Sequence, residues 1–95
     1  MVLHIGEDQT VPVDKLIMIA NAAGMTPATR AYINRAIKER RYAACQGAVK
    51  AYVLVDERKR IMVYASMIAP ATLERRLADS ISRKGLFEAA VLTAE

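Results

Sequence analysis

The chain contains one histidine, His4, and one cysteine, Cys45, so any Cys–His nucleophile pair would have to be built from these two. Each lies in a short apolar stretch, where quiet packing is the expected role. Glu7 and Asp8 are adjacent acids directly after Gly6. Carboxylates in that setting line a solvated turn, and no third residue nearby supports acid–base work. One His, one Cys and scattered acids lack the spacing of a metal-ligand set. Gly6, Gly24, Gly47 and Gly85 are isolated, so no glycine-rich loop cradles a phosphate ahead of a helix. The residues therefore predict a protein that is not an enzyme, with no catalytic residues, cofactor, metal or evident small-molecule substrate.

The basic residues point elsewhere. Fourteen Lys and Arg face ten Asp and Glu, giving a formal net charge of +4 and an isoelectric point near 9.5, a balance that suits an anionic partner. The excess is concentrated. Arg30, Arg35, Lys38, Arg40 and Arg41 stand against Glu39 alone, and Arg58-Lys59-Arg60 follows further on. Guanidinium and ammonium groups placed along a phosphate backbone supply affinity without reading sequence. The candidate nucleic-acid contacts are Arg30, Arg35, Lys38, Arg41, Lys50, Arg58, Lys59 and Arg60. Four tyrosines, Tyr32, Tyr42, Tyr52 and Tyr64, have the chemistry of stacking platforms, but Tyr52 and Tyr64 fall in apolar runs and read as core or interface.

The elements that must position these charges are legible around residues 49–65. Val49 to Val55 and Ile61 to Ala65 are rich in β-branched residues and tyrosine, and Asp56-Glu57-Arg58-Lys59 joins them as an antiparallel hairpin. Both alternate sets are apolar: Val49, Ala51, Val53 and Val55 on one face, Tyr52 and Leu54 on the other. Both faces of the sheet are thus expected to be covered. Either another subunit or the chain's own helices on both sides supply the second cover, and the subunit reading is preferred. Val2 to Ile5 predicts a strand ended by a turn at Gly6-Glu7-Asp8, and Leu16 to Ala20 a second buried strand, with Pro12 at an edge or bend between them. Thr26 is a cap and Pro27 a first helical residue for a helix over 27–40, whose inward arc is Thr29, Ile33, Ala36, Ile37 and the stem of Arg40. Tyr42 to Cys45 reads as a short strand. Pro70 starts a second helix with Leu73, Leu77 and Ile81 at i, i+4 and i+8, ending over Ser82 to Gly85.

Ninety-five residues make one domain, because two cores would each be too small to offset chain entropy. The boundaries are 1–81 for the domain and 82–95 for a C-terminal tail, a frayed helix or flexible end. The class is α+β, a small antiparallel β-sheet with two α-helices. An apolar content of 54% favours association into a homo-oligomer. A lone cysteine, no export signal and no run of about 18 apolar residues suggest a reduced, cytoplasmic setting rather than a membrane.

Several residues in order carry a family likeness: the opening MVLHIGED, the apolar strand near Ile17, the loop-to-helix junction at Pro27, Gly47-x-x-Lys50 before an apolar strand, and Ala69-Pro70-x-Thr72-Leu73-x-Arg75-Arg76-Leu77. Over roughly residues 1–77 the chain resembles the RemA/RemB family of bacterial extracellular-matrix regulators, RemB-type members most closely at the opening. The resemblance implies a transcriptional regulator of biofilm-matrix genes that binds double-stranded DNA as a ring-shaped homo-oligomer without a cofactor. RemA-type members carry DNA-binding arginines directly after the glycine, where this chain has Ala48 and Val49, leaving Lys50 as the basic group of that loop. The implied contacts then move to the first helix, with Arg30 the best-matched basic position, and to the hairpin turn. The alternative is a structural or interaction module that oligomerises and recruits another regulator without touching DNA.

Overall fold

The computed structural model describes residues 1–81. The central hairpin is present and tighter than the sequence suggests. Strand β5 (Ala51–Glu57) pairs antiparallel with β6 (Arg60–Ser66), and Glu57 lies opposite Arg60, so the turn is only Arg58 and Lys59. β3 (Leu16–Asn21) flanks β5 antiparallel, and the two-residue β4 (Tyr42–Ala43) flanks β6 in parallel, giving the order β3-β5-β6-β4 and a mixed sheet where an antiparallel one is expected. β1 (Val2–Gly6) and β2 (Gln9–Pro12) form a separate antiparallel hairpin, followed by a 3-10 turn at Val13–Lys15. Pro12 falls where β2 ends, in keeping with its missing N–H.

Both faces of the four-stranded sheet are covered from within the chain, which corrects the preference for a second subunit. One face packs Ala51, Val53 and Val55 against Leu3, Ile5 and Val11 of the small hairpin and Leu73 of the second helix. The opposite face packs Leu54 and Val63 against Ile33 and Ala36 of the first helix, α1 (Pro27–Lys38). Period-two alternation in β5 feeds two separate cores, so neither alternate set is polar. The missing cover was the β1–β2 hairpin, whose docking is a long-range event that no local pattern announces. Ser66, buried at the end of β6, fastens it: its hydroxyl donates to the Ile5 carbonyl at 2.7 Å and accepts from the Ile68 amide at 3.0 Å.

The helices begin as their sequences dictate. Thr26 Oγ1 accepts from the Thr29 amide at 3.2 Å, and Pro27 takes the first helical position. The second helix, α2, occupies 70–81 of the described residues, with Leu73 fully buried, Leu77 half-buried and Ile81 exposed. The expected stop at 82–85 and the tail lie outside the described residues.

Two strand assignments change character. β3 is an edge strand rather than a buried one, with Ile17 and Met18 exposed at 49% and 45% and a bulge between Leu16 and Met18. An uncharged edge of this kind is a template for pairing. β4 stops at Ala43, leaving Cys45 outside any strand, where its thiol donates to the Gly47 carbonyl.

Candidate nucleic-acid interface

α1 stops because the chain leaves it through a left-handed residue. Arg40 has φ 60°, and the closing hydrogen bonds run from Arg41 N to Ala36 O at 2.8 Å and from Arg40 N to Ile37 O at 3.2 Å. This is a Schellman termination with arginine where glycine is the usual occupant. The expected inward arc therefore holds for Ile33 and Ala36 but not for its last members. Ile37 is exposed, and Arg40 points its charge to solvent.

Arg41 turns the other way. Its side chain is only 14% exposed, donates to the Ile61 carbonyl at 2.7 Å, pairs with Glu39 at 2.6 Å and lies 5.5 Å from the centre of the Tyr32 ring. The Arg41 carbonyl also accepts from the Val63 amide at 2.9 Å. Of the basic candidates, this one has its donors committed to the fold.

These bonds fix the end of α1 against the start of β6. Arg60 Nη2 donates to the Arg40 carbonyl at 3.3 Å, closing the same junction from the hairpin side. Basic residues 20 positions apart in sequence thereby form one surface: Arg35, Lys38 and Arg40 from the end of the helix, Arg58, Lys59 and Arg60 from the hairpin tip, all exposed. Arg40, Arg58 and Lys59 have φ of 60°, 49° and 68°, the conformation of a type I′ turn at the tip. A basic group also suits the negative pole of the helix dipole.

This end, with Arg41 included, holds seven cations against Glu39, Asp56 and Glu57, and the other seven cations of the chain are matched by seven carboxylates. The whole net charge of +4 resides here. Of the three local acids, Glu39 is paired with Arg41, and Glu57 accepts a hydrogen bond from the Tyr64 hydroxyl. Burial first, then that bond, pushes the Tyr64 phenol up to about 12.

Two candidates lie away from this surface. Lys50 sits at the opposite end of β5, about 25 Å from the tip at the rise of an extended strand, where its carbonyl accepts from Ala22. Arg30 is exposed in the first turns of α1, about 12 Å along the axis from Lys38. Arg40, counted in the basic excess but not among the candidate contacts, belongs with the cluster. Nothing local marks it, since residues 39–41 contain no glycine to announce a helix stop.

The residues weighed for catalysis are spread out. His4 is exposed on β1, correcting its expected packed position. Cys45 and Glu7 line a cleft of about 20 Å³, room for one water. Glu7 is engaged there in structure, accepting from the Gln46 amide at 2.7 Å. Among the described residues, no three of His, Cys, Asp and Glu converge as a metal site, and no helix is long and apolar enough to cross a membrane.

No protein-family model matches the chain, and no curated protein matches it.

Proposed function

We propose that this protein binds double-stranded DNA as a homo-oligomer and acts as a non-catalytic transcriptional regulator of the kind its resemblance to RemA/RemB proteins implies. One observation carries the reading: tertiary structure gathers the end of α1 and the hairpin tip into a single surface with six exposed cations, where the chain's excess charge lies. Cations arrayed on a rigid junction release phosphate counterions together, and repetition of the surface across copies multiplies weak contacts. The open β3 edge supports self-association. Its exposed Ile17 and Met18 carry no charge against pairing, and apolar grooves of about 360 and 320 Å³ flank the strand, both lined by Met18. Ring closure and matrix-gene targets come from the resemblance alone.

The same edge favours a second reading, in which the oligomer captures another regulator through β3 and never meets DNA. Light scattering with and without a 20-base-pair duplex separates the two. The DNA reading expects an oligomer whose mass rises with duplex at low salt, and reduced affinity on all sequences for Arg35→Ala combined with Lys38→Ala. Met18→Lys should reduce the assembly to monomer. A folded oligomer that leaves every duplex free at low salt would overturn DNA binding and leave the interaction module standing.

A further inference from the structure

We infer that the turn Arg58-Lys59 is a groove probe: on duplex DNA its side chains enter the minor groove while Arg35, Lys38 and Arg40 hold the flanking phosphates. This rests on the DNA-binding reading and assigns a distinct task to the tip within it.

The backbone is the first ground. Both turn residues are left-handed, a conformation for which Asn-Gly is favoured because side chains with a Cβ are strained there. The turn nevertheless carries the two longest cationic side chains. Arg40, the third cation at positive φ, stands at the same junction. Positions where glycine would relieve the backbone are occupied by charge, and such strain concentrates where side chains act on a ligand.

The second ground is shape. β3 reaches only as far as the Leu16–Val55 pair and β4 pairs only at Val63 and Tyr64, so the ribbon from Asp56 to Ile61 extends past both strands, with Arg40 and Arg41 alongside it at Arg60 and Ile61. That extension is two to three residue pairs, roughly 7–10 Å. It is too short to lie along the major groove as a reading ribbon, and the ribbon itself is too wide for a minor groove about 6 Å across. Extended arginine and lysine side chains at its apex do fit, and a narrow A·T minor groove has the enhanced negative potential that draws them. The tip's acids do not block this. Glu57 is turned back to Tyr64, and Asp56 lies one pair behind the turn, opposite Ile61.

The third ground is rigidity. Arg60 and Arg41 clamp the tip to the helix end, so seating on phosphates fixes where the apex points.

The test uses the full chain and two duplexes of equal length, one containing an A·T tract and one G·C-rich, titrated at the same salt. Arg58→Asn combined with Lys59→Gly removes both charges while installing the preferred turn sequence, so folding is protected. Wild-type protein should prefer the A·T duplex by about tenfold, the double variant should bind both duplexes equally, and Lys38→Ala should weaken both while keeping the preference. Equal wild-type affinity for both duplexes, or a preference that survives in the double variant, would overturn the inference and leave DNA binding intact. Failure of the wild type to bind either duplex at low salt would instead remove the DNA reading beneath it.

Discussion

The protein contains two hairpins that turn in the same way and use their turns oppositely. Glu7 and Asp8 join β1 to β2 with φ of 52° and 58°, and Arg58 and Lys59 join β5 to β6 with φ of 49° and 68°. Neither pair contains glycine, so each turn costs roughly 1 to 2 kcal/mol per left-handed residue relative to an unstrained one. The acidic turn recovers some of that cost internally, because Glu7 accepts from the Gln46 amide 39 residues away and helps seat its hairpin on the sheet. The basic turn makes no such bond: among the described residues, neither Arg58 nor Lys59 has a side-chain partner. One turn is bonded into the fold, and the other leaves its charge exposed.

That contrast can be broken at its strongest structural point, the dock between the two hairpins. Ser66→Ala removes the hydroxyl that bonds both the buried Ile5 carbonyl and the part-buried Ile68 amide, and leaves them without that partner. A loss of about 2–3 kcal/mol in urea unfolding is expected, with the basic surface unchanged. The paired turn substitutions are next in size. Arg58→Asn with Lys59→Gly should raise stability by about 1–2 kcal/mol, seen as a higher thermal midpoint. Glu7→Ala should lower stability by about 1 kcal/mol, because its bond is solvent-exposed and worth correspondingly less. Opposite signs from the two turns would confirm that one is built into the fold and the other is not. Equal destabilisation would erase the distinction.

The last effect is one of pH. The Tyr64 phenol is raised from 10.0 to about 12 by burial and its bond to Glu57. A raised value means its contribution is fully present below the unfolded phenol's value and is lost as pH climbs to the folded one. The stability difference between wild type and Tyr64→Phe should therefore shrink between pH 10 and 12, and stay flat from 7 to 9. A difference that instead grows with alkaline pH would place Tyr64 in another environment.

How much of this was legible from residues alone depends on the range of the interaction. Thr26-Pro27 announces α1 because a cap and a fixed φ act within three residues, and the apolar stretches of β5 and β6 announce their pairing for the same local reason. The two-residue tip was hidden, since Arg-Lys carries none of the glycine or asparagine that normally marks a left-handed turn. The end of α1 is expected at 40, but the left-handed exit through Arg40 was hidden likewise. Period-two patterning showed that both sheet faces are covered but not by what, because the β1–β2 hairpin arrives from 40 residues upstream and is held by core packing and the Ser66 bond rather than by any local signal. The basic residues were countable, yet their union at one end, with Lys50 left at the other, follows from where the Arg41 and Arg60 hydrogen bonds draw the chain together.

The central claim, that the surface formed by the end of α1 and the hairpin tip takes phosphates, is tested most directly by the salt dependence of duplex affinity. Fluorescence anisotropy of a labelled duplex between 50 and 200 mM salt should give a linear log–log plot whose slope is about 1.8 less steep for Arg35→Ala with Lys38→Ala than for wild type, the loss of two phosphate-neutralising cations. An identical slope in the two proteins, with the variant as well folded as the parent, would contradict it.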